Sequence, residues 1–192
     1  MKRKMTTYQL AVTALMAAVM CVLGPLSIPI GPVPISLTNF VIYLSVFLLG
    51  TQMGTVSYLV YLLIGAAGLP VFSAYSGGLA KLAGPTGGYL IGFIPMAIIS
   101  GVFLSRSRGR RWFSALGMVL GTLVAYALGT AWFVILMKCG VWYALTVCVF
   151  PFLPGDAVKI VAALAIGSLV RGRLQKAGLL RTLPGERREA AE

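Results

Sequence analysis

The sequence contains no histidine and only four acidic residues. That shortage removes most catalytic chemistry before any motif is sought. Without imidazole there is no ordinary base near neutral pH, no relay built on it, and no common nitrogen ligand for a metal. Asp156 is the sole carboxylate ahead of the tail that begins at Thr182, so no carboxylate pair exists to divide acid and base roles. The nucleotide-binding pattern G-x-x-x-x-G-K-[ST] is missing, as are G-x-S-x-G and H-E-x-x-H. These absences predict a protein that is not an enzyme and that carries no cofactor and no metal. Cysteine is scarce too. Cys21, Cys139 and Cys148 form an odd set without C-x-x-C, which reads as buried inert thiols. Cys139 and Cys148 both fall near one predicted face, so a disulfide between them stays open.

Charge is the third shortage. Only 10% of the 192 residues are charged, against ~25% in an average soluble domain. Apolar residues make up 59%, and the mean hydropathy is +0.94. A soluble core of this size cannot absorb that much apolar surface, whereas lipid solvates it directly. The predicted fold class is therefore an all-α membrane protein. The net charge of +12 does not indicate nucleic acid. The basic residues sit in clusters between apolar spans, and no basic–aromatic groove is visible.

Six hydrophobic segments can be drawn, at about Tyr8–Gly24, Ser36–Gly50, Gly54–Gly68, Tyr89–Ser105, Trp112–Met137 and Pro154–Val170. The second and third fall short of the ~20 residues a perpendicular span needs. The start, Met1-Lys2-Arg3-Lys4 before an apolar run, imitates a signal peptide. No small-x-small cleavage pattern follows, so the segment reads as a retained helix. Lys2, Arg3 and Lys4 precede the first span. Arg106, Arg108, Arg110 and Arg111 separate the fourth from the fifth, and Arg171, Arg173, Lys176, Arg181, Arg187 and Arg188 follow the sixth. With six spans, all three clusters share one side. The positive-inside rule makes that side, and both termini, cytoplasmic. Only Lys81 and Lys138 fall in the opposite loops. Residues 1–181 read as one membrane domain and 182–192 as a charged, disordered tail.

The predicted outer loops are unusual. Pro25–Pro34 is proline-rich, apolar and stiff, while Gly68–Gly88 contains Gly77-Gly78 and Gly84-Pro85-Thr86-Gly87-Gly88. Such glycines serve either plain turns or close backbone approach to a ligand. Asp156 follows Pro154-Gly155 and so falls in the first turn of the last helix, with Lys159 one turn on. The carboxylate alone reads as a helix-end charge and the lysine as a snorkelling one. Together, ionisable residues inside a bundle point to a site for a polar ligand. In the first span, Ala14 and Ala18 form a small-xxx-small face, beside Ala11 and Ala17, suited either to internal packing or to docking on another membrane subunit.

Five stretches carry a resemblance: Gly31-Pro32-Val33-Pro34-Ile35-Ser36-Leu37, Gly65–Phe72, Gly84–Phe93, Tyr126–Trp132 and Pro154–Lys159. In this order they resemble the BioY proteins, biotin-specific substrate-binding (S) components of energy-coupling factor (ECF) transporters. The resemblance implies a six-helix bundle in the bacterial cell membrane that captures biotin at the outer face. Asp156 and Lys159 would be among the ligand contacts, and Ala14 and Ala18 would be the docking feature. It also implies a transmembrane coupling protein and two cytoplasmic ATPase subunits as partners. One departure stands out. The family often continues its second-span motif with Leu-Gln-Thr, where this chain has Leu37-Thr38-Asn39. Asn39 is then the expected substitute for the glutamine. For biotin, Asp156 would accept from ureido N–H groups and Lys159 would donate to the carbonyl. Tyr75, Tyr89, Phe40 and Trp132 are candidate walls. Gly77, Gly78, Gly87, Gly88 or Lys81 would meet the carboxylate, and Gly68–Gly88 would fold over the ligand as a lid. An S component for another small vitamin, or a self-sufficient facilitator, is the alternative.

Overall fold

The structure is a computed structural model that describes residues 7–29, 33–107 and 110–177. Lys2, Arg3, Lys4, Gly31, Pro32, Arg108, Arg181 and the predicted tail 182–192 lie outside the described residues.

Helix α1 (Thr7–Leu23) buries Thr13, Met16, Ala17 and Met20. These recur at i, i+3, i+4 and i+7, so they form one face. Ala11, Ala14 and Ala18 point the other way and are exposed, with Leu15 and Val22. The helix is apolar all round because lipid, not water, is the solvent its outer face suits.

A short hairpin follows, which proline content alone does not predict. Strand β1 (Ser27–Ile28) pairs antiparallel with β2 (Ile35–Ser36), Ser27 opposite Ser36. Helix α2 (Thr38–Ala66) then covers both the second and third predicted spans. It is broken at Gly50, whose φ of 80° and ψ of 177° suit only glycine. A Cβ on Gly54 would stand 2.8 Å from the Val46 Cα, whereas 46 and 54 would be ~12 Å apart in an unbroken helix. The Tyr61 hydroxyl likewise interacts with Thr38, ~35 Å away in an unbroken helix. The chain therefore reverses at Gly50, giving two antiparallel arms, 38–49 and 51–66.

The segment from Gly68 to Gly88 is not an open loop. Phe72 is fully buried and its ring meets Tyr61 edge-on at 5.6 Å. A 3-10 turn, η1 (Ser73–Tyr75), and helix α3 (Leu79–Ala83) follow. Ala74 N–H donates to the Pro25 carbonyl at 3.1 Å and to Ser27 Oγ at 2.9 Å, tying this segment to the β1 strand. Helices α4 (Gly87–Arg106) and α5 (Arg111–Met137) run to within two residues of the predicted spans. A short helix α6 (Val141–Cys148) was not predicted. Helix α7 (Leu153–Lys176) extends past Val170.

Among the described residues, α4, α5 and α7 are long and apolar enough to cross a membrane, α2 has that length only when its two arms are counted as one across Gly50, and α1 is a shorter apolar helix. All three cysteines are free, so Cys139 and Cys148 do not pair. Arg171, predicted as part of a loose basic cluster, is buried, and its Nη1 donates to the Phe47 carbonyl at 2.6 Å. It pins α7 to the first arm of α2 near its end, where a cation is favoured.

Two apolar clusters fill the interior. One joins α1, α2, α4, α5 and α7 around Met20, Ile42, Tyr43, Tyr58, Tyr61 and Met96. The other joins the hairpin to α4, α5 and α6 around Val33, Tyr89, Tyr126, Phe133 and Phe152. The polar site lies where they meet.

Candidate ligand-binding site

Pro154 and Gly155 begin α7, and the Asp156 N–H closes on the Phe152 carbonyl at 2.8 Å. The first turn thereby turns Asp156 inward, where it is 6% exposed. Its carboxylate is held from three sides. Asn39 Nδ2 donates to Oδ1 at 2.9 Å, Lys159 Nζ donates to the same oxygen at 3.0 Å, and the Tyr126 hydroxyl donates to Oδ2 at 2.5 Å. A carboxylate accepts about four such bonds, so one acceptor position remains.

Lys159 sits one turn along α7 and is fully engaged. Besides Asp156, its ammonium donates to the Ser36 carbonyl at 2.7 Å and to Asn39 Oδ1 at 3.0 Å. Three donors and three acceptors leave no free N–H. Asn39 is buried at the start of α2, and its Oδ1 also accepts from the Phe40 N–H at 3.1 Å. The four side chains thus join α2, α5 and α7 into one network. Neither a lone helix-end charge nor a snorkelling lysine describes it.

The network forms part of the wall of a cavity of about 630 Å³, its open mouth included. Val33, Pro34, Tyr89, Leu90, Phe93 and Phe152 supply apolar wall. Tyr89 is fixed there because its ring packs where a Gly129 side chain would stand, with a Cβ at 129 only 2.3 Å from its Cδ1. Its hydroxyl meets Thr130 Oγ1 at 3.1 Å and the Cys148 carbonyl at 3.3 Å.

Of the residues singled out in the sequence, Asp156, Lys159, Asn39 and Tyr89 come together on this cavity. Tyr75, Gly77, Gly78, Gly87, Gly88 and Trp132 are not in its wall, nor are Phe40 and Lys81. Tyr75 is 66% exposed. Trp132 has a bracing role instead: its Nε1 donates to the Gly84 carbonyl at 3.0 Å, and its Cβ fills the space beside Gly88. Gly87 likewise leaves room for the Leu82 carbonyl. Lys81 is partly buried, which pushes its ammonium pKa below the ordinary value. Sequence reading missed Tyr126, Phe93, Thr86, Thr122 and Ser36 as wall residues. Tyr126 opens one of the five family stretches, and that was the only available signal for it.

Residues 1–176 match the BioY family. The chain belongs to the BioY family. A biotin transporter BioY from Thermotoga maritima is 39% identical over 169 residues, spanning 88% of this chain and 96% of the relative. A biotin transporter BioY from Rhizobium etli is 35% identical over 177 residues, spanning 86% and 94%. Among solved structures, the S-component for biotin from an ECF-type ABC transporter, at 2.1 Å, superposes with a TM-score of 0.81. It is 30% identical, and the match covers 88% of this chain and 95% of that one. The fold is that of an S component, and the chain is a multi-pass membrane protein.

Proposed function

We propose that this chain is the biotin-binding S component of an ECF-type importer, capturing the vitamin at the outer face of a bacterial cell membrane. The observation that carries the reading is the Asp156–Lys159–Asn39–Tyr126 network on an otherwise largely apolar cavity. A ureido group carries two N–H donors and one carbonyl acceptor. The open acceptor position on Asp156 suits an N–H. Lys159 has no spare donor, so it meets the ureido carbonyl by exchanging one protein partner. Ser36 O, a strand carbonyl at the cavity wall, is the partner it exchanges. The apolar walls take the fused ring and its alkyl chain.

The reversal at Gly50 supports a count of six spans. With six, the basic clusters fall on one side and place both termini in the cytoplasm. Residues 1–181 then form one membrane domain. Ala14 and Ala18 lie on the exposed face of α1, which supports docking onto a transmembrane coupling protein rather than internal packing. Two cytoplasmic ATPase subunits drive that protein. The chain itself binds without turnover.

Thermal stabilisation of the purified chain by a vitamin panel tests the substrate, because a ligand that binds only the folded state raises apparent stability. Biotin should raise the melting temperature and riboflavin and thiamine should not; the reverse pattern overturns the substrate. ATP-driven accumulation of labelled biotin in liposomes holding this chain alone would refute the need for partners.

A further inference from the structure

Thr86 stands immediately before α4, where a threonine hydroxyl ordinarily accepts from a backbone N–H of the first turn. Here it makes no such cap bond. Its Oγ1 is buried with no hydrogen-bond partner. The residue is 7% exposed and lines the cavity beside Tyr89 and Leu90. The other two wall threonines are engaged. Thr122 pairs with Tyr43 and donates to the Met118 carbonyl at 2.7 Å, and Thr38 accepts from Ser36 at 3.1 Å. A buried hydroxyl without a partner has lost water and gained nothing. Its burial is explicable when a ligand group completes it.

The chemistry of that group follows from its surroundings. The start of the 20-residue α4 carries the partial positive charge of a helix N-terminus. The one carboxylate in the wall, Asp156, already receives Asn39, Lys159 and Tyr126. Thr86 therefore borders a space that favours an anionic acceptor. We propose that Thr86 receives the carboxylate end of the ligand, its hydroxyl donating one hydrogen bond to a carboxylate oxygen. The assignment rests on the biotin reading, in which Asp156 and Lys159 hold the ureido end.

The test uses the full chain in detergent, with biotin and biotinol, the analogue whose carboxyl is replaced by a neutral hydroxymethyl. Thr86→Val should weaken biotin about tenfold or more, weaken biotinol, whose hydroxyl oxygen accepts only a neutral bond, clearly less, and leave the ligand-free melting temperature equal or higher. Thr86→Ser should restore biotin binding. Equal losses for both ligands, or none for either, overturn the assignment. So does a drop in ligand-free stability that Thr86→Ser does not repair. If the valine chain does not fold, Thr86→Ala is read against the same outcomes. Wild-type chain that binds neither ligand removes the biotin reading itself. Wild-type binding with an unaffected Thr86→Val chain removes only this inference.

Discussion

Removing Lys159 and Asp156 singly and together separates their structural role from their ligand role. Lys159→Met strips the ammonium that meets Asp156 Oδ1, Ser36 O and Asn39 Oδ1. It leaves the Asp156 carboxylate buried with only Asn39 and Tyr126 as donors. Breaking a buried pair in this way costs about 3–5 kcal/mol. Asp156→Asn keeps the shape and removes the charge. Asn39 and Lys159 still find an oxygen to donate to, but Lys159 then lacks a counter-charge. A lysine escapes part of that penalty by shedding its proton, so this variant should lie near ~3 kcal/mol. If the two costs were independent, the double variant would lose ~6–8 kcal/mol. Because each single change strands the other charge, the double variant should lose no more than either single one. The coupling should then be at least about 3 kcal/mol. Unfolding of the purified chains in detergent reads these differences. Biotin affinity should fall in all three, by roughly ten- to a hundredfold in Asp156→Asn, the equivalent of one charge-assisted hydrogen bond. Additive stability losses would refute the paired network. Wild-type affinity in both single variants would refute its role in binding.

Three further outcomes follow from other contacts. Tyr126→Phe removes the donor to Asp156 Oδ2 and should cost about 1.5–3 kcal/mol of stability. Affinity should fall less than stability does, since a ligand N–H can occupy the vacated position; parallel unfolding and binding titrations compare the two. Gly50→Ala forces a side chain into φ 80°, ψ 177° and should destabilise by about 1–3 kcal/mol, read as a lower unfolding midpoint with biotin affinity retained. Arg171→Met leaves the Phe47 carbonyl without its guanidinium donor at 2.6 Å and should cost about 1.5–3 kcal/mol, again without touching the cavity.

Much of the fold was legible because lipid imposes long apolar helices whose ends show as charge and glycine. The predicted Trp112–Met137 and the observed Arg111–Met137 differ by one residue for that reason. Gly50 was legible as a boundary, but not as the turn itself. The expected gap of several residues is one glycine in a conformation other residues avoid. The β1–β2 hairpin and α6 escaped because they are too short for periodicity to register. Phe72 escaped for a different reason: a single buried ring, set into space that a Gly65 side chain would occupy, anchors a segment whose glycines read as an open lid.

The site divides along the same physical line. Asp156 and Lys159 stood out because an apolar chain makes any interior charge conspicuous. Tyr89 and Asn39 came from resemblance. Tyr126 and Thr86 lie within the resembling stretches, but nothing singles them out there, since a tyrosine or threonine in a membrane helix has many ordinary uses. Only the folded structure distinguishes the hydroxyl that holds a carboxylate from the hydroxyl that holds nothing. The saturated Lys159 is equally beyond sequence. Its three bonds mean that a ligand gains there only what replaces the Ser36 carbonyl, a near-even exchange. The unspent positions, the last acceptor on Asp156 and the Thr86 hydroxyl, are where a ligand adds bonds without giving any up. Selectivity between polar solutes of similar size should therefore depend more on Asp156 and Thr86 than on the lysine that the sequence makes most obvious.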